Sequence, residues 1–221
     1  MATVTKGKFK CPHCNEEFEA DLYKAVDVKE DSKYRNMLIN GEFFKYECPH
    51  CHKLMMAVYP MLYIDSRNNF LIQYVPHERL EEMHRLIIDN RNSFPKDYNF
   101  RIVTATYDAV EKMIIFENRL DDRIIECNKV IIHKAFLERY EGKVVHHIYF
   151  NVDKDKNFVF DVIVKDKEGK QEVLRATFDV ELYNHIYKDF RKELNEEDLI
   201  VDYGYGLRKM KDGPKANKST N

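Results

Sequence analysis

Apolar and polar residues first alternate clearly at Phe18, Ala20 and Leu22, which are separated by Glu19 and Asp21. A period of two predicts a half-buried strand, although Phe18, Leu22 and Val26 also fall at helical spacing. Residues 31–40 predict a short helix that Asp31 or Ser32 caps and Gly41 ends with a positive φ. Phe43, Phe44 and Tyr46 follow, and then an apolar run over 54–64 that Pro60 interrupts. Asp65 to Asn69 is a polar turn and Phe70 to Val75 returns as a second strand, so the pair reads as a hairpin. Proline donates no ladder hydrogen bond, which places the first of these strands at an edge or bulges it at Pro60.

From Pro76 to Asn90 the spacing of Leu80, Met83, Leu86 and Ile87 predicts a helix. A polar loop over 90–97 precedes a short extended segment at Phe100, Ile102 and Val103. Asp108, with Glu111 three residues on, reads as the capping box of another helix whose apolar positions are Val110, Met113, Ile114 and Phe116. A break at Asn118 to Asp121 separates it from a longer helix with Ile124, Cys127, Ile131 and Ala135 on one face, ending near Gly142. The texture then changes. Residues 144–152, 158–164 and 173–178 read as a three-stranded meander. Leu182, Ile186, Phe190 and Leu194 mark a helix, and Leu199 to Tyr203 a last strand.

The order predicts an α+β protein in four segments. A zinc-ribbon-like module with its hairpin fills 1–76, a helical connector 77–142, an antiparallel βββαβ unit 143–206, and a disordered polar tail 207–221. Composition supports folded structure. Apolar residues make up 44% and charged residues 33% of the 221, and seven glycines with six prolines are too few for a linker-rich chain. The net charge of −2 is spread as 0, −2, −4 and +4 over those four segments. No folded segment carries the basic excess that phosphate binding requires, so charge does not support a nucleic-acid partner. No apolar run approaches the ~18 residues of a membrane span. With no secretory leader at Met1 to Lys8, the expected compartment is the cytoplasm, where thiols stay reduced.

The candidate chemistry sits in a repeated tetrapeptide. Cys11-Pro12-His13-Cys14 recurs as Cys48-Pro49-His50-Cys51, and these hold four of the five cysteines. Two thiolates two residues apart lie on one side of a tight turn, and two such turns supply four ligands to one tetrahedral Zn²⁺. The residue after each knuckle needs a positive φ, which falls to Asn15 and His52. The same tetrapeptide serves thiol redox enzymes, but those use one copy after a buried strand; Lys6-Gly7-Lys8-Phe9-Lys10 is no buried strand. Four cysteine ligands close the metal shell, so no catalytic residue is expected there.

Other candidates read as structure. His13 and His50 point to solvent, and His77 and His84 lie too far apart on a helix to share a metal. His146 and His147 alternate across a strand, and Cys127 is a buried small hydrophobe. Asp121, Asp122, Arg123 and Glu126 read as charges at a helix start. Tyr203 to Gly206 lacks a phosphate-loop pattern and leads into no helix. Tyr59, Tyr63, Phe70 and Tyr74 form a hairpin core face or, less simply, a stacking platform.

The two knuckles, Gly41-Glu42-Phe43-Phe44 before the second, Leu62-Tyr63-Ile64-Asp65, Val110 to Ile114, and Glu117 to Asp122 with Ile125-Glu126 and Lys129 together resemble the CpXC domain of bacteria and archaea, over roughly residues 8–135. The resemblance departs at Asn15, His52 and Arg119, which stand where the family has glycine. It implies metal binding and supplies no reaction. The expected function is therefore a single structural zinc on Cys11, Cys14, Cys48 and Cys51, holding a surface for a protein partner. An enzyme with its site between the module and the C-terminal unit, and a thiol redox protein, are the alternatives.

Overall fold

A computed structural model describes residues 2–194 and 198–213. The chain gathers into two units, Met1–Lys112 and Met113–Asn221. The 77–142 connector is divided between them, and it contributes a strand to the first. The protein is a mixed α+β structure with six helices and three sheets among the described residues. No described helix is long and apolar enough to cross a membrane.

The first unit is built on a five-stranded sheet whose strands lie in the order Thr3–Lys10, Glu17–Asp27, Met61–Asp65, Phe70–Tyr74 and Asn99–Val103. Strand β1 (Thr3–Lys10) is an exposed edge, antiparallel to β2 (Glu17–Asp27). Their register sets Lys6, Lys8 and Lys10 opposite Asp21, Glu19 and Glu17. Opposite charges facing across a ladder favour this register, and the lysines discourage pairing with another chain. The alternation at Phe18, Ala20 and Leu22 is thus a strand, because tertiary pairing selects period two over the competing helical spacing.

Helix α1 (Lys33–Ile39) follows Ser32, and Asp31 accepts from the Lys33 amide. Gly41 adopts φ +66°, the left-handed position that the sequence assigned to it. The apolar run of 54–64 is not one strand. It divides into β4 (Leu54–Met56), which pairs with β3 (Lys45–Glu47), and β5 (Met61–Asp65). Pro60 lies between them, where its missing amide costs no ladder bond. Strand β5 is therefore neither an edge nor bulged at Pro60: it sits inside the sheet, parallel to β2 and antiparallel to β6 (Phe70–Tyr74).

Residues 80–89 form α2 (Leu80–Asp89), of which Ile87 is buried while Leu86 and Ile88 remain exposed. The extended segment at 100–103 is β7 (Asn99–Val103), parallel to β6, with Phe100 to Val103 all buried. Tyr59, Tyr63, Phe70 and Tyr74 are buried, with the Phe44 ring edge-on to Tyr59 at 5.2 Å and tilted against Tyr74 at 4.8 Å. They form the core of this unit, which explains its aromatic-rich composition.

Helix α3 (Thr106–Glu117) begins two residues before the predicted cap, so Asp108 lies in its first turn. Within the break, Arg119 takes the left-handed region at φ +57°. Helix α4 (Asp122–Arg139) then starts under a working cap: Asp121 Oδ1 accepts from the Arg123 amide at 3.0 Å. In the second unit, β8 (Val144–Val152), β9 (Phe158–Lys165) and β10 (Gln171–Thr177) form an antiparallel sheet in the order β10-β9-β8. A register shift between Val145 and His147 leaves both His146 and His147 exposed, not on opposite faces as strict alternation requires.

Helix α5 (Val180–Phe190) packs Ile186 and Phe190 on Ile124 and Cys127 of α4. The expected last strand is absent: 198–202 run without a partner strand and α6 (Tyr203–Asp212) follows. Among the described residues after α4, three antiparallel strands are followed by two helices. Asp202 accepts from the Tyr205 amide at 2.8 Å and so starts a helix where alternating Leu199, Val201 and Tyr203 read as strand. Leu199 and Val201 alternate because they are buried, which a strand ladder does not require. Residues 207–212, assigned to the tail, are helical; the rest of that prediction, over 214–221, lies outside the described residues.

Candidate metal centre

The first knuckle joins β1 to β2, and the second joins β3 to β4. Both close in the same way. The Asn15 amide donates to the Cys11 carbonyl at 2.9 Å, and the His52 amide to the Cys48 carbonyl at 2.9 Å. Cys11 and Cys48 in turn donate to the carbonyls of Glu16 and Lys53 at 2.9 and 3.1 Å. Asn15 and His52 take φ +63° and +57°, the left-handed backbone anticipated after each knuckle.

This matched geometry brings all four Sγ atoms within 4.8 Å of one another. Two cross-knuckle pairs, Cys11–Cys51 and Cys14–Cys48, lie at 3.7 Å. A tetrahedron with ~2.3 Å metal–sulfur bonds has edges of ~3.8 Å, so the spacing fits a tetrathiolate metal. All five cysteines are free thiols. Cys11 and Cys48 are fully buried while Cys14 and Cys51 are partly exposed. Phe18 and the half-buried Phe9, Ala20, Tyr46 and Met55 pack around them.

Cys11 and Cys14 are shifted in opposite directions by their surroundings. Burial raises Cys11, but the amides of Cys14 and His13 more than offset it and hold it at about 6. Cys14 accepts from the Glu16 amide, yet burial and its thiol neighbours push it up to about 12. A thiophilic cation displaces these protons and takes the thiolates as ligands.

Two tyrosines tie this layer to the sheet. Tyr46 Oη donates to the Asp21 carbonyl at 3.0 Å, and Tyr59 Oη to the Phe43 carbonyl at 2.8 Å, with the two hydroxyls 3.3 Å apart. Sequence reading missed this pair, because only the tertiary fold brings β2, residues 43–46 and Tyr59 together. His13 and His50 are exposed, as expected from their place in the turns. His50 Nε2 lies 3.3 Å from the Glu17 carbonyl, and His52 pairs with Glu47 at 3.0 Å.

The family model for the CpXC protein matches residues 9–129. The chain belongs to the CpXC family. No curated protein and no solved structure matches it. The CpXC match spans both knuckles and ends at Lys129, inside α4. In that last stretch Asp122, Glu126 and Lys129 are only 0%, 1% and 4% exposed, with Lys129 Nζ 3.1 Å from Glu126 Oε1. Capping accounts for Asp121, which also pairs bidentately with Arg123 at 2.9 and 2.7 Å. It does not account for Asp122 and Glu126. Their helical spacing reads as a solvated charged start, and only the fold shows them buried. Cys127 is buried as expected, and burial pushes its thiol up to about 12.

Proposed function

We propose that the CpXC segment binds one structural zinc on Cys11, Cys14, Cys48 and Cys51, and that the metal holds a non-enzymatic surface for a protein partner. The observation that carries this is the closed set of four sulfurs within 4.8 Å. An all-thiolate tetrahedral set suits Zn²⁺ and leaves no position for a substrate or water. The reading places the protein in a reducing compartment such as the cytoplasm, where the thiolates persist as ligands.

Support for the partner surface comes from β4 and the residues after it. Leu54, Met56 and Val58 are 71%, 57% and 51% exposed beside the metal knuckle, while Met55 packs inward on the cysteines. Alternation along β4 puts Leu54 and Met56 on one outward face, and Val58 is exposed just beyond the strand. Apolar rows left in solvent on a metal-fixed hairpin favour a protein partner over the phosphate backbone of a nucleic acid.

Metal analysis of the purified chain is expected to give about one zinc per chain, with Cys48→Ser losing it. A metal-free chain carrying a readily reduced Cys11–Cys14 disulfide overturns the zinc reading in favour of thiol redox chemistry. For the surface, the Leu54→Asp/Met56→Asp double variant is expected to keep its zinc and lose proteins that co-purify with the wild type. Co-purification of nucleic acid that falls steeply with salt is the contrary result.

A further inference from the structure

The two knuckles are alike in backbone and in exposure: within each, the first cysteine is buried and the second is not. Cys11 and Cys48 are fully buried, whereas solvent reaches Cys14 and Cys51, one on each knuckle. Each partly exposed cysteine has its sulfur opposite that of a buried one across the centre, Cys51 to Cys11 at 3.7 Å and Cys14 to Cys48 at 3.7 Å. From this arrangement we infer that a hydroperoxide converts the zinc-loaded centre into two disulfides between the knuckles, Cys11–Cys51 and Cys14–Cys48, with loss of the metal. The inference rests on the zinc reading above and gives that site a redox regulation.

The chemistry follows from which sulfur an oxidant meets first. The Cys14 thiolate attacks the O–O bond of hydrogen peroxide, taking one oxygen as a sulfenic acid while the other leaves as hydroxide and is protonated to water. The Cys48 thiolate then attacks the Cys14 sulfur. An S–S bond forms, the S–O bond breaks, and the hydroxide leaves as a second water. Two thiolates have lost two electrons to one peroxide, with two protons drawn from solvent. Cys51 and Cys11 repeat the sequence with a second peroxide. A chain with no thiolate left in the centre releases the cation.

The consequence is structural. Bonds across separations of 40 and 34 residues tie the β3–β4 hairpin to the first knuckle covalently, where the metal tied it before. Disulfides inside each knuckle leave the two halves free to part.

The test uses the full-length zinc-loaded chain, prepared without oxygen and titrated with hydrogen peroxide while a chromogenic chelator reads released zinc. Trypsin cleavage after Lys10, Lys24, Lys45 and Lys53 leaves Cys11 with Cys14 on one peptide and Cys48 with Cys51 on another. The expected result is release of about one zinc for about two peroxides, with the two peptides joined and fragmentation assigning the pairs. Reductant plus zinc then restores the starting state. Zinc retained under a large excess of peroxide overturns the inference, and so do two separate peptides each holding its own disulfide. Zinc absent before any peroxide is added is a different failure, since it overturns the zinc reading and carries this inference with it.

Discussion

His52 stands at φ +57° after the second knuckle, where a side chain meets its own carbonyl. For most residues the left-handed region costs about 1–2 kcal/mol, and glycine escapes it. His52→Gly is therefore expected to stabilise the zinc-loaded protein by about 1 kcal/mol, because the exposed pair it loses with Glu47 contributes little. Asn15→Gly should gain less, since asparagine tolerates φ +63° better. Denaturant midpoints of the two variants give the comparison, and a destabilised His52→Gly contradicts the reading.

Tyr46 is a second site where a single group sets a measurable property. Burial, and then the Tyr59 hydroxyl, hold its phenol protonated well above the ordinary range. An unfolded tyrosine ionises near pH ~10, so above that pH the unfolded chain gives up a proton that the folded chain keeps. Stability is then full below about pH 10 and falls as pH rises. Urea unfolding on either side of that pH should show the decline, and Tyr46→Phe should lessen it, the other raised tyrosines keeping their share. An unchanged slope in the variant places the effect elsewhere.

Among the elements, α6 shows how a local signal and a packing demand combine. Gly206 brings it so close to α4 that an added Cβ would lie 2.4 Å from the Glu126 carbonyl oxygen. Backbone cannot give way as a flexible side chain can, so Gly206→Ala is expected to cost about 1–3 kcal/mol by overpacking. Gly204, in the same helix, meets only side-chain atoms, the nearest at 3.2 Å, and Gly204→Ala serves as the mild comparison. Equal thermal midpoints for the two variants exclude close α4–α6 packing as the cause.

At the scale of the whole molecule, the chain forms two units. The metal layer of the first consists of Phe18 and the half-buried Phe9, Ala20, Tyr46 and Met55 around the cysteines, too few apolar side chains to stabilise that layer without a metal. The zinc proposed for this centre would supply on the order of 10 kcal/mol to such a fold. Removing it with a chelator is expected to abolish hydrogen-exchange protection over Lys45–Glu47 and Leu54–Met56. The strands β8 to β10, whose core is Ile148, Phe150, Phe160, Val162 and Val164, are expected to keep theirs. Protection lost equally in both would mean that the metal supports the entire chain.

The sequence by itself determined the features that depend on local chemistry. The two Cys-Pro-His-Cys repeats mark the cluster, and a closed knuckle requires the positive φ that Asn15 and His52 adopt. The meander of β8 to β10 and the break at Asn118 to Asp121 were legible because alternation and capping act over a few residues. Tertiary structure decided what depends on partners distant in the chain. It divided 54–64 between two sheets at Pro60, made β7 a buried strand of the first unit, and turned 203–212 into a helix packed on α4. It also buried Asp122 and Glu126, which a helix start would leave in water. Periodicity records which side of an element is covered, whereas pairing and packing settle what covers it.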